Sequence, residues 1–100
     1  MSGPIYKLFL LKPLPSWYAL SEEEQNAIDA KVAESRDKVG AKLIVACESA
    51  WSSEQWMGFG VEEFPDIEAV QKHTAYLNQL NWPHQYAESM TLLGTKWELG

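Results

Sequence analysis

Gln55-Trp56-Met57-Gly58-Phe59-Gly60-Val61-Glu62-Glu63-Phe64 is the stretch on which the reading of this chain turns. Side chains alternate between the two faces of a strand. Met57, Phe59 and Val61 therefore share one side, and Trp56, Gly58, Gly60 and Glu62 share the other. The first set reads as the side that packs on helices. The second set is an indole, two positions without a side chain, and a carboxylate. Glycine weakens a strand interior, so two at alternate positions need a reason. One reading makes Gly58 and Gly60 the hollowed floor of a chamber. The other makes them a bed on which a neighbouring ring such as Phe9 lies flat, or the mark of a bulge.

Outward from this strand the chain follows a simple rhythm. Ile5-Tyr6-Lys7-Leu8-Phe9-Leu10-Leu11 is apolar on both parities apart from Lys7, as in a strand covered on both faces. Pro13 and Pro15 stop it, and Ser16-Trp17-Tyr18-Ala19-Leu20 is a short aromatic connection. Ser21-Glu22-Glu23-Glu24 is a capping box opening a helix. Ile28, Val32, Ser35 and Val39 give that helix a narrow stripe, and Gly40 stops it. Residues 41–50 read as a second strand, joined by a few loop residues (Trp51-Ser52-Ser53-Glu54) to the strand at Gln55. Asp66 caps a second helix whose inner face is marked by Ile67, Val70, Thr74 and Leu77, with His73 on the flank. Asn81-Trp82-Pro83 ends it, and residues 90–99 form the last strand.

The order is β-α-β-β-α-β. This predicts an α+β, ferredoxin-like fold: a four-stranded antiparallel sheet with two helices on one face. One hundred residues make a single domain, 1–100. Two helices cover one face of the sheet, yet the first and third strands carry apolar residues on both. A second copy of the same sheet is the cover that this pattern implies, giving a homodimer of the dimeric α/β barrel type with a chamber between or within subunits.

The layout resembles the dimeric α/β barrel superfamily over the whole chain. Pro15-Ser16-Trp17-Tyr18-Ala19-Leu20-Ser21-Glu22-Glu23-Glu24, Phe64-Pro65-Asp66-Ile67-Glu68-Ala69-Val70 and Asn81-Trp82-Pro83-His84-Gln85-Tyr86 are similar to segments of its small, uncharacterised darcynin-like members. Asn81 stands where that group has Gly, and Gln25 where it has Arg. The resemblance implies a fold and a range of chemistries: cofactor-free monooxygenases, haem-degrading monooxygenases, cyclases, isomerases and dehalogenases. Fold-level likeness does not choose among them.

Composition narrows the partners. The net charge is −6, with Arg36 the single arginine and the lysines scattered. Binding to phosphate backbones or anionic lipid needs clustered positive charge, so neither nucleic acid nor membrane is an expected partner. Five Trp, four Tyr and three Phe exceed what one small core needs, which points to an interface or a lined pocket. Cys47 is alone and reads as a small buried hydrophobe. The apolar start is interrupted by Lys7, Lys12 and Pro13, as in a strand rather than a targeting segment, and a cytoplasmic protein is the expectation.

His73 and His84 are the only imidazoles and hence the candidate general bases. Haem-degrading relatives place an iron ligand where His73 is expected, whereas His84 lies in a turn, where sites concentrate. Lys7 and Glu48 interrupt apolar strands; paired in a hollow they would neutralise each other, or Glu48 would serve as a base. Phe9, Trp56, Gly58, Gly60, Tyr76 and Trp82 are candidates to line the chamber beside Lys7. Two histidines do not make a metal site, and no metal or cofactor is expected. The leading expectation is a cofactor-free enzyme (monooxygenase, isomerase or cyclase) for a small apolar or aromatic molecule. A haem-binding protein centred on His73 and a non-catalytic dimeric ligand-binding module are the alternatives.

Overall fold

A computed structural model describes residues 3–99, the side chain of Pro83 excepted. The elements are β1 (Ile5–Pro13), the single helical turn α1 (Pro15–Tyr18), α2 (Glu22–Val39), β2 (Lys42–Glu48), β3 (Gly58–Phe64), α3 (Ile67–Gln79), a π-helical turn (Trp82–Tyr86) and β4 (Ala87–Gly94). The strands lie in the order β2-β3-β1-β4, every neighbouring pair antiparallel. This is the ferredoxin-like α+β arrangement expected, with β1 and β3 central.

The signals that open and close the helices act as read. The Ser21 hydroxyl accepts from the Glu24 amide and the Glu24 carboxylate accepts from the Ser21 amide, each at 3.1 Å. Gly40 ends α2 in the left-handed region at φ 75°. Asp66 accepts from the Ala69 amide at 2.8 Å to start α3.

Strand ends differ from the sequence reading. β3 begins at Gly58 rather than Gln55, because Ser53 Oγ accepts from the amides of Gln55 and Trp56 and ties them into the loop. Ser49 Oγ donates to the Trp56 carbonyl from the other side, so the β2–β3 connection spans residues 49–57. β4 ends at Gly94, where its partner is Tyr6 and β1 is nearly exhausted, so residues 95–99 have no strand to pair with.

The larger correction concerns the faces. Ile5 pairs with Phe64, Lys7 with Glu62, Phe9 with Gly60 and Leu11 with Gly58. This set faces the helices: Ile5 and Phe64 join Ala41, Ala69 and Val70 in the core. Met57, Phe59 and Val61 lie on the opposite, helix-free face. Parity says which residues share a side but not which side the helices take. Glu62 decides it, since a buried carboxylate is tolerated only where partners reach it, and those partners come from α2 and α3.

Gly60 is the bed for Phe9. A Cβ there would lie 2.5 Å from Phe9 Cζ and 2.8 Å from the Val45 carbonyl oxygen. The helix-free face carries Leu8, Leu10, Phe59, Val61, Met90 and Leu92 from three adjacent strands, with Phe59 38% and Leu92 67% exposed. Among the described residues no helix is long and apolar enough to cross a membrane.

Candidate functional site

Between the sheet and the helices lies a cleft of about 560 Å³, within the usual range for small-molecule sites. Lys7, Phe9 and Leu11 of β1 and Glu62 of β3 form its floor. Val32 and Arg36 of α2 wall one side, and Val70, His73 and Leu77 of α3 the other. Trp82 and His84 of the π-helical turn contribute to the lining, and Ser89, Thr91 and Leu93 of β4 form an exposed lip.

One end of the cleft is charged and buried. Glu62 is 3% exposed, with Oε2 3.3 Å from Arg36 Nη1, which donates to it, and 3.8 Å from His73 Nε2. Its other oxygen stands 3.9 Å from Lys7 Nζ, beyond hydrogen-bond reach, so this is a charge contact alone. Lys7 is itself buried, held there because its neighbours Ile5 and Phe9 share the covered parity. Burial lowers its pKa, the Glu62 carboxylate opposes that, and Arg36 adds to the lowering.

His73 is 1% exposed and packs against Phe64, ring centroids 5.6 Å apart. Its Nδ1 lies 2.7 Å from the buried Ser35 hydroxyl of α2. The Glu62 carboxylate facing Nε2 favours a proton on that nitrogen, which leaves Nδ1 to accept from Ser35. Desolvation, with Lys7 and then Arg36 nearby, lowers the His73 pKa to about 4. At neutral pH the ring is uncharged. The end of the cleft thus holds two cations, one carboxylate and one neutral imidazole.

The other end is wet. Asp29 and His84 are exposed lining residues, and Asp29 sits two turns before Arg36 on α2, about 10 Å along the helix axis. Burial raises the Asp29 pKa, partly countered by Arg36. The π-helical turn is pinned to the start of the chain. The Leu14 amide donates to the Tyr86 carbonyl at 2.9 Å, and the Ser16 hydroxyl donates to the Gln85 carbonyl. Trp82 meets Trp17 edge-on at 4.9 Å. Asn81, at φ 57°, turns the chain out of α3 into this segment; Asn tolerates that region better than most residues.

Of the residues singled out in the sequence, Lys7, Phe9, His73, His84 and Trp82 line this one cleft, and Gly60 lies beneath Phe9. Glu48, Trp56, Gly58 and Tyr76 are not among its lining residues. Glu48 is exposed on the edge strand β2, its carbonyl accepting from the Trp51 indole. Trp56 belongs to the β2–β3 loop, and Gly58 is closed off by the Cys47 carbonyl, 3.1 Å from where a Cβ would be. Tyr76 lies below the Lys38 ammonium, 5.9 Å from its ring centre. Lys7 accordingly pairs with Glu62, not Glu48. Nor is His73 on the flank of α3: the buried face is Ala69, Val70, His73 and Leu77, while Ile67 and Thr74 are exposed.

Glu62, Arg36 and Ser35 belong to the site as well, beyond the residues expected from the sequence. The signals existed: a serine within the apolar stripe of α2, the one arginine next to it, and a carboxylate on the glycine-bearing parity of β3. Among the described residues no three of His, Cys, Asp and Glu come together to hold a metal ion. Haem does not fit His73 as iron ligand. Nδ1 is committed to Ser35, and Nε2 points at a carboxylate already flanked by two cations.

No protein-family model matches the chain, and no curated protein is similar to it in sequence. Solved structures are similar in fold. RPA0582, a protein of unknown function from Rhodopseudomonas palustris, superposes at TM-score 0.73 with 17% identity, over 98% of this chain and 85% of that one. A mutant chlorite dismutase from Candidatus Nitrospira defluvii gives 0.71 with 19% identity, over 94% and 40%. SnoaB, a cofactor-independent oxygenase from Streptomyces nogalater, gives 0.61 with 9% identity, over 97% and 96%. At these identities the likeness is one of fold. The chain has the ferredoxin-like α+β fold that these structures share.

Proposed function

We propose that the chain binds a small, flat, apolar or aromatic molecule in the cleft between sheet and helices and moves a proton on it without a cofactor. The observation that carries this reading is a cleft of ligand size whose apolar walls end at Lys7, Arg36, Glu62 and His73. Phe9, Leu11, Leu77 and Trp82 would hold the body of the ligand. Lys7 and Arg36 are placed where an oxygen gaining negative charge would be stabilised, in a setting drier than bulk water. Neutral His73 offers Nε2–H as a donor, and its lowered pKa makes it a weak base. His84, at the wet end, is the better candidate to take a proton. The similarity in fold to a cofactor-independent oxygenase is compatible with this chemistry.

The chain would work as a homodimer, with a second copy covering the helix-free sheet face. Leu8, Leu10, Phe59, Val61, Met90 and Leu92 give that face an apolar surface of a kind that monomers rarely leave bare. The domain would be this whole chain, one unit per subunit.

The test is hydrogen–deuterium exchange into enolisable aryl ketones and phenols, followed by NMR. The reading predicts exchange above the buffer rate, reduced about 100-fold or more in the Lys7→Met and His84→Gln variants. Binding without exchange for any member of such a panel would make the protein a ligand-binding module and remove the enzymatic half of the proposal.

A further inference from the structure

The composition of the buried end says more than that the cleft is ligand-sized. Three charged side chains meet there: Lys7 from β1, Arg36 from α2 and Glu62 from β3. Both cations approach the same carboxylate, one to each oxygen, so a single negative charge answers two positive ones. Ser35 of α2 and His73 of α3, beside them, are hydrogen-bonded to each other. Asp29, the other carboxylate of the lining, is exposed and lies about two helical turns from Arg36, whose charge only partly counters the effect of burial on it.

The surplus positive charge is also accessible. Lys7 and Arg36 both line the cleft, with side chains 10% and 20% exposed. Lys7 Nζ is too far from Glu62 to hydrogen-bond it, and one of the five guanidinium N–H donors of Arg36 is directed at Glu62. Donors remain for a ligand, in a place where fixed charges act more strongly than at the surface.

We propose that the cleft selects an organic monoanion, an aromatic carboxylate or a molecule of the same shape and charge. Its charged head would sit against Lys7 and Arg36 and its ring between Phe9 and Leu77. This rests on the reading of the cleft as a small-molecule site and adds the charge state of the occupant. Glu62 sets that state: it cancels one cation and leaves room for one negative charge, not two. The neutrality of His73 at pH 7 keeps the sum at one.

The experiment is equilibrium binding at pH 7.5, followed by tryptophan fluorescence and calorimetry, with three probes of one ring system. These are 2-naphthamide (uncharged), 2-naphthoate (one negative charge) and 2-naphthyl phosphate (close to two). Wild-type protein should bind naphthoate about tenfold or more tightly than naphthamide, and more tightly than the phosphate. Lys7→Met should bring naphthoate down to the affinity of naphthamide. Glu62→Gln should reverse the order of naphthoate and phosphate; circular dichroism establishes that each variant is folded. Should Glu62→Gln fail to fold, the Lys7→Met result decides. Equal affinity for naphthamide and naphthoate would overturn the charge assignment while leaving the cleft a site for apolar molecules. Naphthoate affinity unchanged by Lys7→Met would place the anion elsewhere and overturn it too. Failure of all three probes at millimolar concentration would overturn the small-molecule reading itself.

Discussion

Lys7 and Glu62 are register partners on adjacent antiparallel strands, and their charged ends stand 3.9 Å apart under the helices. Each interrupts an apolar stretch, and each is buried. Two isolated buried charges would be untenable, whereas a pair with Arg36 added is tolerated. Stability here depends on the set being complete.

Removing the centre of that set should therefore be worse than removing the set. Glu62→Gln is predicted to destabilise by about 3–5 kcal/mol, because it leaves the buried Lys7 and the half-buried Arg36 without a counter-charge. Adding Lys7→Met should recover part of the loss, so that the double variant is more stable than the sum of the single effects predicts. Urea denaturation of the three variants measures this, and strict additivity would mean that the two side chains do not interact.

His73 gives a pH dependence with a defined sign. Its folded pKa is lowered to about 4 from 6.5, so the unfolded chain takes up this proton first as pH falls. The stabilising effect of a neutral His73 is complete above about pH 6.5 and is lost as pH drops toward 4, a total of about 3 kcal/mol. Denaturation curves between pH 7 and 4.5 should show this slope, and His73→Gln should flatten it. An NMR titration of the His73 ring should give a midpoint well below that of a free histidine.

Gly60 and Gly94 are both on strands yet should respond oppositely. At Gly60 an added methyl group would collide with the Phe9 ring and with the backbone carbonyl of Val45; at Gly94 nothing lies within 4 Å. Gly60→Ala is predicted to lose about 1–3 kcal/mol and Gly94→Ala to change little. Combining Gly60→Ala with Phe9→Ala should not restore what the swap at 60 alone removes, since the Val45 carbonyl cannot retreat. Thermal or urea melts would check both.

The fold was legible because its signals are local. The capping box at Ser21, Gly40, the Asp66 cap and the strand patterns each name an element, and the order of elements then leaves one familiar arrangement. What was not legible was the assignment of the sheet's faces, since β1 is apolar on both parities and the glycines and Glu62 made the covered parity of β3 look like the open one. The charged site depended on it. Glu62 looked like the odd member of a glycine-bearing face, and its partners Arg36 and His73 come from helices far along the chain. Glu48, picked for breaking an apolar run, lies on the edge strand beside water.

The helix-free face should hold two copies together. Phe59→Glu or Leu92→Glu would put a charge in the centre of that contact, and sedimentation should show a shift from dimer to monomer at micromolar concentration. Wild-type protein that is already monomeric under those conditions would contradict the proposed homodimer.

The ligand chamber proposed for this protein lies between sheet and helices of one subunit, not between two sheets. Mapping chemical-shift changes on the folded protein with 2-naphthoate measures this most directly. The shifted resonances should cluster on Val70, Thr74, Leu77 and the Trp82 indole. Shifts confined to Leu8, Phe59, Val61 and Leu92, on the opposite face of the sheet, would contradict it.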